Sequence, residues 1–337
     1  MKVLRSSTIT ALRIAVLFAV LYLLARHVSQ NRADYAFVLV LEWRFALPIV
    51  LLSMLNLLLE SVRYSATAHE MGRRIPLFNG FVYLVVARFL DKLVPQSGIA
   101  YKAHVIRKGA GLGSGEMLAG FGSLVWLQLL VTFLIACTVV GFLRPGLQIG
   151  GIQIIWLLAG APVMLLLVTL AIARFVTAVE PDSSSGGRPW YRFRAKLARH
   201  VRVLLQLIRS PMLLTISVLT IAAATLVSVA RLYFCFKMVG VDTDAAVLTL
   251  FVTMNRAMTV FPLTPGNLGI TEFLFGVLAR DLGMGMAQGV AAAFLLRLIM
   301  FAVLSLLGLL FLLVARQTIY GENKAADPTS SRHRDAG

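Results

Sequence analysis

Arg88, Asp91 and Lys92 follow one another at spacings of three and four residues, so a helix would carry them on one face together with Pro95. They lie in a stretch, 77–108, that is otherwise largely apolar. A charge inside hydrocarbon costs roughly 2.5–3.5 kcal/mol on insertion scales, so each one needs a reason to be there. A second apolar stretch, 245–282, has Asn255 and Arg256 in the matching place and Glu272 further on. Glu60, Arg63, Arg231 and Arg297 are further charges at the ends of apolar runs or within them. Guanidinium groups hold oxyanions and carboxylates hold protons or cations, so the set points to handling of a charged head group.

The tips of these two stretches add a second element. One reads Pro95-Gln96-Ser97-Gly98 and the other Pro265-Gly266-Asn267-Leu268-Gly269. Beyond each proline a half-helix is expected, with free N–H groups at the positive end of its dipole. Gly98, Gly266 and Gly269 would let a ligand come close to the backbone. With Arg88 and Arg256 nearby, the expected site is a cationic pocket near the bilayer centre, open to a phosphate or another anionic group. Asp91 and Glu272 are then expected to bind a coupling proton or cation. A plainer reading pairs Arg88 with Asp91 and Glu60 with Arg63 inside their own helices. It also lets Lys92, Lys102 and Arg107 reach the aqueous interface. Arg231 and Arg297 become structural pins on unwound hairpin carbonyls, and Trp126 and Trp156 packing or lipid-facing residues.

The elements that must position these residues are membrane helices. The 337-residue chain is 59% hydrophobic and 14% charged, where soluble domains are about 45–50% apolar and about 25% charged. Apolar runs cover approximately 9–25, 45–62, 117–142, 152–173, 211–236 and 287–314. Each is long enough to cross about 30 Å of hydrocarbon as a helix. The net charge of +17 comes mostly from loops between these runs, which favours topology signals and anionic lipid contacts over nucleic acid.

Basic residues before the first run, after the second, and throughout 174–210 place those segments in the cytoplasm. Counting crossings then turns 77–108 and 245–282 into re-entrant helical hairpins, entering from opposite sides. The expected fold is all-α and polytopic: about six full transmembrane helices plus two re-entrant hairpins in an inverted repeat. It forms a single transmembrane domain over 1–315, with repeats at approximately 9–142 and 152–314. A basic cytoplasmic loop covers 174–210, and a disordered cytoplasmic tail covers 316–337.

Catalytic motifs are absent from the sequence: there is no HExxH, no Walker A, no completed triad and no histidine spacing for a metal. The expectation is a non-enzyme with no cofactor and no metal. Cys137 and Cys235 fall inside apolar runs and make no CxxC pair.

The stretch from Arg88 to Gly98, the basic run Lys102–Lys108 and above all Pro265-Gly266-Asn267-Leu268-Gly269-Ile270-Thr271-Glu272 resemble the flippase-like family that includes the transmembrane region of lysylphosphatidylglycerol synthases. The likeness spans roughly 10–315. It implies a lipid flippase or transporter moving an anionic or modified lipid between leaflets of a bacterial inner membrane, with both termini cytoplasmic. The chain ends at Gly337 without an aminoacyl-transferase domain, so a stand-alone member is expected. Two alternatives are an integral-membrane lipid-modifying enzyme and a non-transporting subunit beside a lipid-biosynthesis enzyme. The expected partners are membrane lipids with anionic or modified head groups, and not nucleic acid.

Overall fold

The computed structural model describes residues 42–70, 74–93, 97–98, 101–102, 105, 114–177, 210–260 and 267–325. A short 3-10 turn, Trp43–Phe45, leads into α1 (Ala46–Glu70), and α2 (Leu77–Leu93) follows. Then come α3 (Ser114–Leu143) and α4 (Ile154–Thr177), α5 (Pro211–Met238), α6 (Ala245–Val260), α7 (Ile270–Asp281) and α8 (Met286–Ala325). Among the described residues, five helices are long and apolar enough to cross a bilayer: α1, α3, α4, α5 and α8. The protein is an all-α, multi-pass membrane protein. The sixth expected span, 9–25, lies outside the described residues, as do 178–209 of the basic loop and 326–337 of the tail.

The remaining described helices are shorter than a full span. At 1.5 Å per residue, the 17, 16 and 12 residues of α2, α6 and α7 reach only about 26, 24 and 18 Å. None covers the ~30 Å hydrocarbon core alone. The helices α6 and α7 pack on one another.

Small residues bring the helices together. Ser53 and Ser61 on α1, with Ser217 and Thr225 on α5, are fully buried, and α1 and α5 share an extensive interface. Hydroxyls on these faces donate to the carbonyl one turn back, as Ser53 does to Ile49 and Thr225 to Ile221. These hydroxyls are satisfied within their own helix, while Ser61 donates across to the Leu77 carbonyl at 3.1 Å. A stack of Phe236, Phe251 and Phe275, with ring centroids 5.1 and 4.8 Å apart, locks α5, α6 and α7 together. Elsewhere the surface is apolar: on α4, Trp156, Leu157, Met164 and Leu167 are all more than half exposed. Such a surface suits a helix against lipid.

The packing has an internal correspondence. α1 packs on α2 as α5 packs on α6, and α2 packs on α8 as α6 packs on α3. α1 also contacts α8, and α5 contacts α3. Exchanging α1 with α5, α2 with α6 and α3 with α8 reproduces this set of interfaces.

Two features lie outside the sequence expectations. The link from Leu143 to Gly151, short and uncharged apart from Arg144, turns through a two-stranded antiparallel hairpin pairing Gln148 with Gln153 and Ile149 with Ile152. Gly150 and Gly151 sit at φ 57° and 80°, the left-handed pair such a two-residue turn requires. The helix α8 runs on to Ala325, so 316–325 are helical where a disordered tail was expected. Good helix formers such as Gln317, Glu322 and Lys324 carry it, and no proline intervenes before Pro328.

Candidate functional site

A cavity of about 660 Å³ opens among α1, α2, α3, α5 and α6. Each helix turns one face toward it. On α1, Asn56, Glu60 and Arg63 recur at helical spacing, as do Leu84, Arg88 and Asp91 on α2. On α5 the face is Thr220, Ala224, Ser228 and Arg231; on α6 it is Val252, Asn255, Arg256 and Thr259. Lys102, from the segment after α2, and Gln128 of α3 complete the polar lining. Phe275 connects this wall to the aromatic stack behind it.

The cations here fall into two groups. Arg88 is neutralised: its terminal nitrogen donates to both carboxylate oxygens of Glu60, at 2.6 and 2.8 Å. This interhelical pair replaces the expected pairings of Arg88 with Asp91 and of Glu60 with Arg63. Partners 28 residues apart are brought together by the packing of α1 on α2, and local spacing does not reveal them. Arg63, Arg231 and Arg256 form the other group. Among the described residues, no carboxylate lies within ion-pair distance of any of them. Their partners are neutral. Arg63 donates to Gln128 Oε1 at 3.1 Å. Arg256 reaches the Ala224 carbonyl and Ser228 Oγ at 3.4 and 3.3 Å. Arg231 reaches Ser53 Oγ at 3.4 Å and Met300 sulfur at 3.3 Å, and its Nε has no hydrogen-bond partner. Arg63 and Arg231 are only 9% and 8% exposed. Buried cations with neutral partners keep their full charge and attract an anion strongly in a low-dielectric setting.

The two expected coupling carboxylates have structural jobs. Asp91 Oδ1 accepts the Gly98 N–H at 2.7 Å. A side chain at Gly98 would run into that carboxylate and the Ala87 carbonyl. Glu272 Oε2 reaches back to the Gly269 N–H at 2.8 Å, the half of a capping box that remains when the N-cap is glycine. Its other oxygen lies 2.9 Å from Arg297 Nε, and Arg297 also donates to the Asn267 carbonyl at 3.2 Å. Asn267, at φ 53°, ties the turn to the Met258 carbonyl of α6. Gly98 and Gly269 N–H groups are therefore taken by the protein's own carboxylates, where free donors for an anion were expected. Asn267, Gly269, Glu272 and Arg297 form a pin behind the cavity, outside its lining.

Of the residues singled out from the sequence, Glu60, Arg63, Arg88, Asp91, Arg231, Asn255 and Arg256 line the cavity. Ser97 and Gly98 follow α2. Lys92 closes α2, but its side chain lies outside the described residues, as do Pro95, Gln96, Pro265 and Gly266. Lys102 was expected at the aqueous interface and instead contributes to the cavity wall. The sequence reading missed Asn56, Gln128 and Ser228. Its only available signal was an amide or hydroxyl interrupting an apolar run, as in Trp126-Leu127-Gln128-Leu129. No group of three or more potential metal ligands occurs among the described residues.

The family model of the lysylphosphatidylglycerol synthase transmembrane region matches residues 5–308. The chain belongs to this family. Over 82 residues it is 33% identical to a UPF0104 membrane protein of Methanothermobacter thermautotrophicus. That match covers 24% of this chain and 23% of the archaeal protein. No solved structure matches the chain. Family membership together with the helical bundle makes this a multi-pass membrane protein.

Proposed function

We propose that the protein transports a lipid with an anionic head group between the leaflets of a bacterial inner membrane. The observation that carries this reading is the cavity itself, lined from three helices by Arg63, Arg231 and Arg256, none of which has a carboxylate within ion-pair distance among the described residues. The head group enters between the helices and is held by these guanidinium groups, while the acyl chains stay in lipid. Arg88 and Glu60 set the charge at one side of the path.

The correspondence between α1–α2–α3 and α5–α6–α8 supports an inverted repeat, with α2 and α6–α7 belonging to the two re-entrant hairpins. Two such halves rocking about the cavity would expose it to each leaflet in turn. Both termini lie in the cytoplasm on this reading, following the distribution of basic residues. Asp91 and Glu272 hold their hairpin tips and take no part in ion coupling.

The test is transport in proteoliposomes containing a fluorescent phosphatidic acid, with leaflet location read by a membrane-impermeant quencher. Wild-type protein should equilibrate the label between leaflets. Arg256→Ala should insert normally and lose transport at least about tenfold. Equal scrambling by protein-free vesicles or full transport by Arg256→Ala contradicts the proposal. Turnover of the lipid into a new product would move the assignment to a lipid-modifying enzyme.

A further inference from the structure

We infer that the cavity selects a head group with at least two negative charges, such as a lipid phosphomonoester or diphosphate, over phosphodiester and aminoacylated lipids. The inference rests on the lipid-transport reading above and sharpens it. Among the described residues, five cations line the cavity: Arg63, Arg88, Lys102, Arg231 and Arg256. Two carboxylates, Glu60 and Asp91, line it with them, an excess of three positive charges among the described residues. Glu60 is already engaged by Arg88, and Asp91 by the Gly98 N–H.

The charge of the guest follows from what it must neutralise. A phosphodiester such as phosphatidylglycerol brings one negative charge and leaves two cations uncompensated. A zwitterionic head group compensates none. A lysyl ester of phosphatidylglycerol adds two ammonium groups to its single phosphate and is repelled outright. A phosphomonoester brings about −1.5 to −2 charges at neutral pH, with three terminal oxygens. A diphosphate brings more.

Geometry agrees with charge. Arg63, Arg231 and Arg256 line the cavity from α1, α5 and α6, so guanidinium groups face a guest from three helices, and a terminal phosphate offers three oxygens to them. Arg231 has an Nε with no hydrogen-bond partner inside the bundle, a donor left over for such an oxygen. A diester offers only two free oxygens.

The deciding pair of probes shares one acyl chain and differs in one charge: hexadecyl phosphate and hexadecyl methyl phosphate. Binding to the purified full-length protein is read by microscale thermophoresis, alongside lysylphosphatidylglycerol, inorganic phosphate and inorganic diphosphate. At pH 7.5 hexadecyl phosphate should bind at least about tenfold more tightly than its methyl diester. Below pH ~6, where the monoester dianion takes up a proton and becomes a monoanion, that preference should shrink. Arg63→Gln/Arg231→Gln should lose the preference; if that variant does not fold, the wild-type ranking and its pH dependence still decide.

Equal binding of monoester and diester, or tighter binding of lysylphosphatidylglycerol, overturns the charge inference while leaving lipid transport standing. Inorganic phosphate competing as well as hexadecyl phosphate keeps the dianion preference and overturns the lipid-transport reading. Failure of every probe to bind overturns both.

Discussion

Replacing Arg231 with Met removes a cation whose recorded contacts are a serine hydroxyl 3.4 Å away and a thioether sulfur 3.3 Å away. The side chain is 8% exposed, and its surroundings on α1 and α8 are apolar or weakly polar. Insertion scales set an arginine at mid-membrane at about 2.5–3.5 kcal/mol unfavourable. The two long contacts return at most about 1 kcal/mol each. The balance predicts that delipidated Arg231→Met is more stable than wild type by about 1–2 kcal/mol, raising the melting temperature by about 2–5 °C. An anionic lipid should reverse the order, stabilising wild type far more than the variant. Thermal unfolding in detergent, with and without added hexadecyl phosphate, reads both effects. If the variant melts lower without lipid and gains as much from lipid as wild type does, Arg231 is a structural pin and the argument from uncompensated charge fails.

Two further substitutions separate charge from architecture. Glu60→Gln leaves Arg88 without its counter-ion. It should lower the melting temperature by the equivalent of about 1–2 kcal/mol, since Arg88 is half exposed, while binding anionic lipid more tightly in a direct titration. Glu272→Gln keeps an oxygen for the Gly269 N–H but discharges the buried pair with Arg297, at a loss of about 3 kcal/mol in thermal unfolding. The pH profile of transport by Glu272→Gln should match wild type; a displaced profile would return Glu272 to a coupling role.

The helices were legible because the bilayer imposes length and apolarity together, and 45–62, 117–142 and 211–236 each became a helix extended by a turn or two at most at either end. The cavity was half legible for a related reason. Charge is expensive in hydrocarbon, so Arg88, Arg231 and Arg256 stood out and did gather around one space. Their pairing was hidden, because Glu60 and Arg88 meet through the packing of α1 on α2. The capping roles were visible in part: Gly269 and Glu272 stand at capping-box spacing, but a glycine at the N-cap conceals the pattern. Gln128 and Ser228 could not be picked out, since isolated amides and hydroxyls are common in membrane helices and are often satisfied locally. The Gly150-Gly151 pair is a hairpin signal in the sequence, since both positions need a left-handed backbone.

The central claim is that this cavity holds the head group of an anionic lipid. Its most direct test is mass spectrometry of the lipids that remain bound to the purified protein, comparing wild type with Arg63→Gln/Arg256→Gln. The account predicts one anionic lipid enriched well above its share of the host membrane in wild type and lost in the double variant. A bound-lipid profile that mirrors the bulk membrane in both proteins would contradict it.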